Sequence, residues 1–192
     1  MDHFLESPSF RTKTATDVPR ALRHALRKSF ADRGLQAFIG IDVPIVYDET
    51  HALTSDLAVV LHADERPRRA WIAAIERRTP DLIVQVVAGA DRVQALDRAA
   101  RHVALGAQEA FVFDRIHGAI AGFRSAGGRT EPVPRDARGA VRSRAIDAEL
   151  VPRGDRIDLV RFASDRELLG VLDRLDRALD RIQARRLGSF VA

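Results

Sequence analysis

The chain has 192 residues, 31 Lys plus Arg against 27 Asp plus Glu, a formal net charge of +4 and no cysteine. That length suits one substantial hydrophobic core with terminal additions, and the missing cysteine excludes a disulfide framework and a thiolate zinc cluster. A surplus of four positive charges is a modest field, no apolar run is long enough to span a bilayer, and the charged start MDHFLESPSFRTK lacks the apolar stretch of a secretion signal, so a cytoplasmic protein without a membrane partner is expected.

Residues 1–16 read as a flexible segment. Asp17 then offers an N-cap, Pro19 lies in the first turn, and Val18, Leu22, Ala25, Leu26 and Phe30 keep helical spacing until Gly34. In QAFIGIDVPIVY the residues Ile39, Ile41, Val43, Ile45 and Tyr47 alternate with Gly40, Asp42, Pro44 and Val46, which predicts a strand with one apolar face, and Pro44 places it near a sheet edge. SDLAVVLH predicts a second strand. The charged link ADERPRR leads to a short amphipathic stretch with Trp71, Ile72 and Ile75, where the lone Trp71 reads as a core or lid residue.

TPDLIVQVVAGADR carries the third strand, entered through Pro80-Asp81 and holding a single amide, Gln85, among apolar residues. Asp91 is placed to cap the following helix, whose apolar stripe is Val93, Leu96, Ala100 and Val103 before Gly106. EAFVFD and IHGAIAGF are the next strands. The order strand, helix, strand implies a parallel pair in an otherwise mixed sheet. SAGG is a turn, residues 129–138 read as a loop, and two more strands fall near 146–151 and 157–162, joined by the turn PRGD. The fold class is α/β or α+β with a central mixed sheet flanked by helices.

From Ser164 the pattern changes. SDRELLGVLDRLDRALDRIQARR sets Leu168, Leu172, Leu175, Leu179 and Ile182 at alternating steps of four and three, which predicts an amphipathic C-terminal helix over 164–192 that packs on its own sheet or on a second copy as a homo-oligomer. Arginine clusters at Arg66, Arg68 and Arg69, at Arg77 and Arg78, and at Arg135, Arg138, Arg142 and Arg144 suit DNA phosphates or a plain solvated surface. His62 with Asp64 and Glu65 is a sparse ligand set, and His51, His102 and His117 have no spaced partners in the sequence.

Taken together, Asp56 in SDLAVVL, PDLIVQVV and RAARHVALGAQEAFVFD resemble the Uma-two-like family of restriction endonucleases within the PD-(D/E)xK nuclease superfamily, over residues 36–162 and most closely over 80–114. The resemblance implies a nuclease-like domain over 17–163, with the family's two Pro-Asp acids at Asp56 and Asp81, its strand glutamate at Gln85, its helix lysine at Arg98 and its aromatic at His102. Such nucleases hold a divalent cation, Mg2+ or Mn2+, between carboxylates, so the resemblance makes Asp56 and Asp81 the metal-ligand candidates.

Two departures weaken that chemistry. An amide at position 85 keeps an oxygen but loses the charge that hard cations select, and an arginine at 98 holds phosphate but cannot act as a base near neutral pH. Asp81 and Gln85 lie four residues apart, about 13 Å at ~3.3 Å per residue, so the natural partner of Gln85 is Asp56 on a neighbouring strand. Arg98 projects opposite the apolar stripe, toward solvent. The expectation is therefore a nuclease-like fold whose catalytic set has decayed, with no cofactor, kept for binding or self-association. The alternative is a Mg2+- or Mn2+-dependent endonuclease that recruits another acid such as Asp48 or Glu49, and DNA binding without cleavage is the third.

Overall fold

In the computed structural model, which describes residues 17–161, the first element is α1 (Asp17–Asp32). Its buried Val18, Leu22, Leu26 and Phe30 recur at steps of four, as helical spacing demands of a face turned to the core. Gly34 ends the segment at φ 63°, a left-handed conformation that a residue without Cβ adopts at no steric cost. Asp17 lies inside the first turn of the helix.

Strands β1 (Ala37–Val46), β2 (Ala52–Leu61) and β3 (Trp71–Ile72) precede the short helix α2 (Ala73–Glu76). Then follow β4 (Leu82–Val87), helix α3 (Arg92–Ala104), β5 (Glu109–Asp114), β6 (Ala119–Ala126) and β7 (Arg129–Pro132). These seven strands form one mixed sheet in the order β3-β1-β2-β4-β5-β6-β7. β4 and β5 pair in parallel with α3 as the crossover, because parallel neighbours cannot be joined by a tight turn. A second sheet, β10-β9-β8, is built from β8 (Val141–Ser143), β9 (Ala148–Arg153) and β10 (Arg156–Arg161).

Two apolar cores follow from this layering. One joins Leu22 and Leu26 of α1 to Leu57 and Val84 of the large sheet and to Val141, Ile146 and Leu150 of the small sheet region. The other sets Ala95, Ala99 and Val103 of α3 against Ala58, Val60, Ile83 and Val112 on the opposite face. Trp71 is fully buried in this second core, stacked on Phe38 at 5.1 Å and donating its indole N–H to the Arg78 carbonyl at 2.8 Å, so it is a core residue. Among the described residues, no helix is long and apolar enough to cross a membrane.

Four local expectations change. Residues 129–132 form β7 instead of a loop: Gly127 and Gly128 both have positive φ and fold the chain back in a two-residue hairpin, with Ala126 paired to Arg129. β7 is exposed throughout, so no apolar alternation marks it. The buried stripe of α3 is Ala95, Ala99, His102 and Val103, and Val93 is exposed, because small residues let the helix lie close on the sheet. β8 occupies a segment with no element expected. The C-terminal helix expected over 164–192 lies outside the described residues.

The fourth change bears on the site. β1 does not keep one apolar face: Ala37 and Ile39 join the core under α1, whereas Val43, Ile45 and Tyr47 join the core under α3. The switch falls at Asp42, whose φ of 53° is the left-handed region and breaks the period-two alternation. Gly40 shows the result, since a Cβ there would stand 2.6 Å from a Val43 methyl that a regular strand would aim the other way.

Candidate functional site

The register of three strands sets a row of polar residues across the large sheet. β1 and β2 pair Ile41 with Leu57 and Val43 with Ser55, which leaves Asp42 opposite Asp56 in a gap of the ladder. β2 and β4 pair Leu57 with Val84 and stop there, so Asp56 also stands opposite Gln85. Gln85 in turn pairs with Val112 of β5. Opposed side chains on regular antiparallel neighbours lie about 5 Å apart at Cβ, which makes Asp56 and Gln85 neighbours, and Asp42 lines the same cavity from β1.

Where the β2–β4 ladder stops, a cavity of about 310 Å³ opens beneath α3, lined by Asp42, Asp56, Gln85, Asp91, Gln94 and Arg98 among others. Asp56 is half-buried and accepts the Val86 backbone N–H at 2.7 Å through Oδ2. That bond replaces a strand-to-strand bond with a side-chain one and fixes the carboxylate at the cavity. Asp91 occupies the N-cap position of α3, but its side chain makes no cap bond and lines the cavity instead. Arg98 is exposed, as its helical projection predicts, and it also lines the cavity.

Gln85 is the anomaly. It is 2 % exposed, and neither its Oε1 nor its Nε2 has a hydrogen-bond partner in the described chain. A buried amide without partners costs roughly 1–3 kcal/mol per group, which sets Gln85 apart from the other buried polar side chains of the sheet. Two carboxylates and an amide oxygen in a row are donors that fit a hard divalent cation, which is bound through one or two carboxylates with water and phosphate oxygens completing the shell.

The other sequence candidates lie elsewhere. Asp81, at the entry of β4, is 4 % exposed and accepts the Leu61 backbone N–H at 2.8 Å and the Gln108 side-chain amide at 2.6 Å. Burial pushes its carboxyl above the ordinary range, opposed by the Leu61 N–H, and it is not among the cavity residues. Asp48 sits in the β1–β2 turn, where its Oδ1 accepts from Thr50 N, Thr50 Oγ1 and His51 N; these bonds hold it well below the usual carboxylate range. Glu49, in the same turn, is exposed. Asp64 pairs with Arg66 and Arg68, and Glu65 with Arg27, so the acids near His62 are engaged by arginines. Among the described residues no group of three or more His, Asp or Glu is arranged to hold an ion.

The three histidines without spaced partners in the sequence all find partners in the fold. His51 meets Asp48 at 2.8 Å and His117 meets Asp114 at 2.7 Å, each within a turn. His102 is fully buried: its Nε2 donates to the Thr54 carbonyl at 3.2 Å, so its Nδ1 accepts the Tyr47 hydroxyl at 2.8 Å. Burial lowers its pKa from 6.5 to about 4. The unfolded chain binds this proton more tightly than the folded one, so stability rises with pH across that window. The melting temperature should fall as pH drops from 7 toward 4, at a cost on the order of 3 kcal/mol from this group. His102→Phe should flatten that part of the profile, and an unchanged slope would remove His102 as its source.

The arginine clusters marked in the sequence are in part structural. Arg68 bonds Glu76 at 2.7 Å and lies over the rings of Phe38 and Trp71, and Arg138 joins Asp136 to Glu149. A different basic set was missed: Arg20, Arg23, His24 and Arg27 line a shared depression on α1 with Ile41, the residue before Asp42. Their spacing of three and four was the available signal.

Two comparisons bear on the family and the fold. The family model described as "Putative restriction endonuclease", Uma2, matches residues 5–151. A crystal structure of a putative nuclease belonging to DUF820 from Anabaena variabilis superposes with a TM-score of 0.52 at 10 % identity, covering 70 % of this chain and 74 % of that one, a likeness of fold. A search of curated proteins found no match. With more than half of its length matched by one family and a nuclease-like fold beneath it, the chain belongs to the Uma2 family of putative restriction endonucleases.

Proposed function

We propose that the protein binds nucleic acid at this cavity and that phosphodiester cleavage has been lost. The observation that carries the reading is the chemistry at two cavity positions, Gln85 and Arg98. Gln85 puts a neutral amide opposite Asp56, which removes one anionic ligand from the row. Arg98 can grip a phosphate oxygen through its guanidinium, but with a pKa above about 12 it takes no proton from water at neutral pH. A divalent cation bound there would polarise a phosphate and lower the pKa of its water. Asp56, held by the Val86 N–H, anchors the polar row, and Arg20, Arg23 and Arg27 on α1 supply positive charge for a backbone approaching beside it.

Binding of a fluorescent oligonucleotide titrated with salt tests this. Affinity is expected to fall steeply as salt rises, and replacing Arg20, Arg23 and Arg27 with Gln should weaken binding and reduce the slope of log affinity against log salt by about 2–3. Binding that is absent, or indifferent to salt, would end the proposal. One observation favours a second reading, an active endonuclease with a rearranged site: Asp42 stands beside Asp56. Plasmid nicking by the wild-type chain in Mn2+, abolished by Asp56→Ala, would establish it.

A further inference from the structure

Four strands end the two sheets among the described residues, and three of them are poor templates for a further strand. β3 has two residues, β8 has three with Val141 already bridged to Arg135, and β7 closes on Pro132, which has no N–H to give. β10 is different: it runs for six residues without proline or glycine. Gly154, at φ 61°, and Asp155 form the two-residue turn that joins it to β9. A turn of that length sets Arg153 against Arg156 and spends the N–H and C=O of Arg156 and Asp158 on β9, so Ile157 and Leu159 direct theirs to the open edge. A groove of about 610 Å³ lies there, lined by Ala21 and Ala25 of α1 and by every residue from Asp155 to Val160. Residues of both faces of β10 line it, as they do where the edge itself forms the wall.

The charges of the strand say what fits it. A two-fold axis that relates two antiparallel strands brings residues of the same face together, so the strand must be its own complement. Centred on Ile157, the register sets Arg156 against the partner's Asp158 and Asp158 against the partner's Arg156, and both side chains are exposed on the outer face. A centre at Asp158 would oppose two like charges, and a centre at Leu159 would set Asp158 against a valine. The bond pattern selects the same register. Ile157 at the axis has its N–H and C=O directed outward, and the Arg156 and Asp158 pairs fall at the non-bonded positions, where opposed side chains are closer. Asp158 has Arg153 of its own β9 at 3.6 Å, and the partner's Arg156 adds a second cation.

We propose that β10 is a docking edge for a second copy of this chain, joined antiparallel about Ile157 so that two three-stranded sheets become one of six strands, with two Arg156–Asp158 ion pairs across the axis. A pairing of two short edges is a small interface, and the association is accordingly weak, with a Kd on the order of 1–100 μM.

Sedimentation velocity of the full-length protein over roughly 1–300 μM is expected to show a monomer–dimer equilibrium. Asp158→Arg places like charges opposite each other twice per dimer and should raise the Kd roughly tenfold or more, and Arg156→Asp should do the same. The double exchange Arg156→Asp, Asp158→Arg restores opposite charges and should return the Kd to within about threefold of the wild type. Both positions are exposed, so the exchanges leave the fold in place. A second measurement needs no variant. Hydrogen exchange followed by NMR should slow at the Ile157 and Leu159 amides as concentration rises, while the Arg156 and Asp158 amides, turned to β9, stay unchanged. A wild-type chain that remains monomeric throughout overturns the proposal. So does a dimer indifferent to both single reversals, which would put the contact on another surface, or a folded double exchange that stays monomeric. Ile157 and Leu159 amides protected equally at all concentrations would show that the chain covers its own edge, and would overturn it too.

Discussion

A Gln85→Glu, Arg98→Lys double variant is expected to nick supercoiled plasmid in Mn2+, where the wild-type chain gives no more than background. The glutamate would stand across from Asp56 and restore an anionic oxygen beside it. Lysine at 98 would replace a permanently charged group with one whose pKa shifts readily in a confined site. Gln85→Glu alone should tighten Mn2+ binding by roughly tenfold or more, because a charged oxygen replaces a neutral one in the shell. It should also make stability depend on the ion. A carboxyl introduced at a 2 % exposed position resists ionising without a counter-charge, so the melting temperature should drop in chelator and recover when Mn2+ is added. A double variant that folds, binds Mn2+ and plasmid and still fails to nick would overturn the proposal that positions 85 and 98 abolish cleavage.

Asp81→Ala is expected to destabilise the fold by roughly 3 kcal/mol and to leave Mn2+ affinity within twofold of the wild type. Asp81 begins the strand that carries Gln85, but its oxygens are spent on the Leu61 N–H and the Gln108 amide, and its backbone N–H donates to the Val59 carbonyl. Those bonds tie β2, β4 and the segment entering β5 at the edge of the parallel crossover. Removing the side chain strands the half-buried Leu61 N–H, the costly kind of hydrogen-bond loss, and leaves the Gln108 amide, on an exposed residue, to water. The melting temperature should fall by about 10 °C, at ~2–4 °C per kcal/mol for a chain of this size. A variant of normal stability, or one that loses Mn2+ binding while stable, would return Asp81 to the ion.

Much of this protein is legible along the chain because it depends on local rules. The four-residue recurrence of Val18, Leu22, Leu26 and Phe30, the stop at Gly34, the buried run of β4 and the strand-helix-strand order that makes β4 and β5 parallel all follow from side-chain periodicity and backbone chemistry. So does the pairing of position 85 with Asp56, since the spacing along a strand rules out Asp81. The α3 stripe was misread because alanines, which carry little apolar signal, make its close contact with the sheet.

What the chain alone does not disclose is where the alternation breaks and which strands then meet. Asp42 reads as the outward residue of an amphipathic strand until its backbone turns left-handed. Only the β1–β2 register then brings it beside Asp56, and only the docking of α3 places the exposed Arg98 at the rim of the same cavity. Sequence periodicity encodes the side of an element on which a residue lies. The company of charges around a cavity is decided by register and by the packing of elements distant in the chain, so the site's acids are individually visible in the sequence but become a site only in the fold.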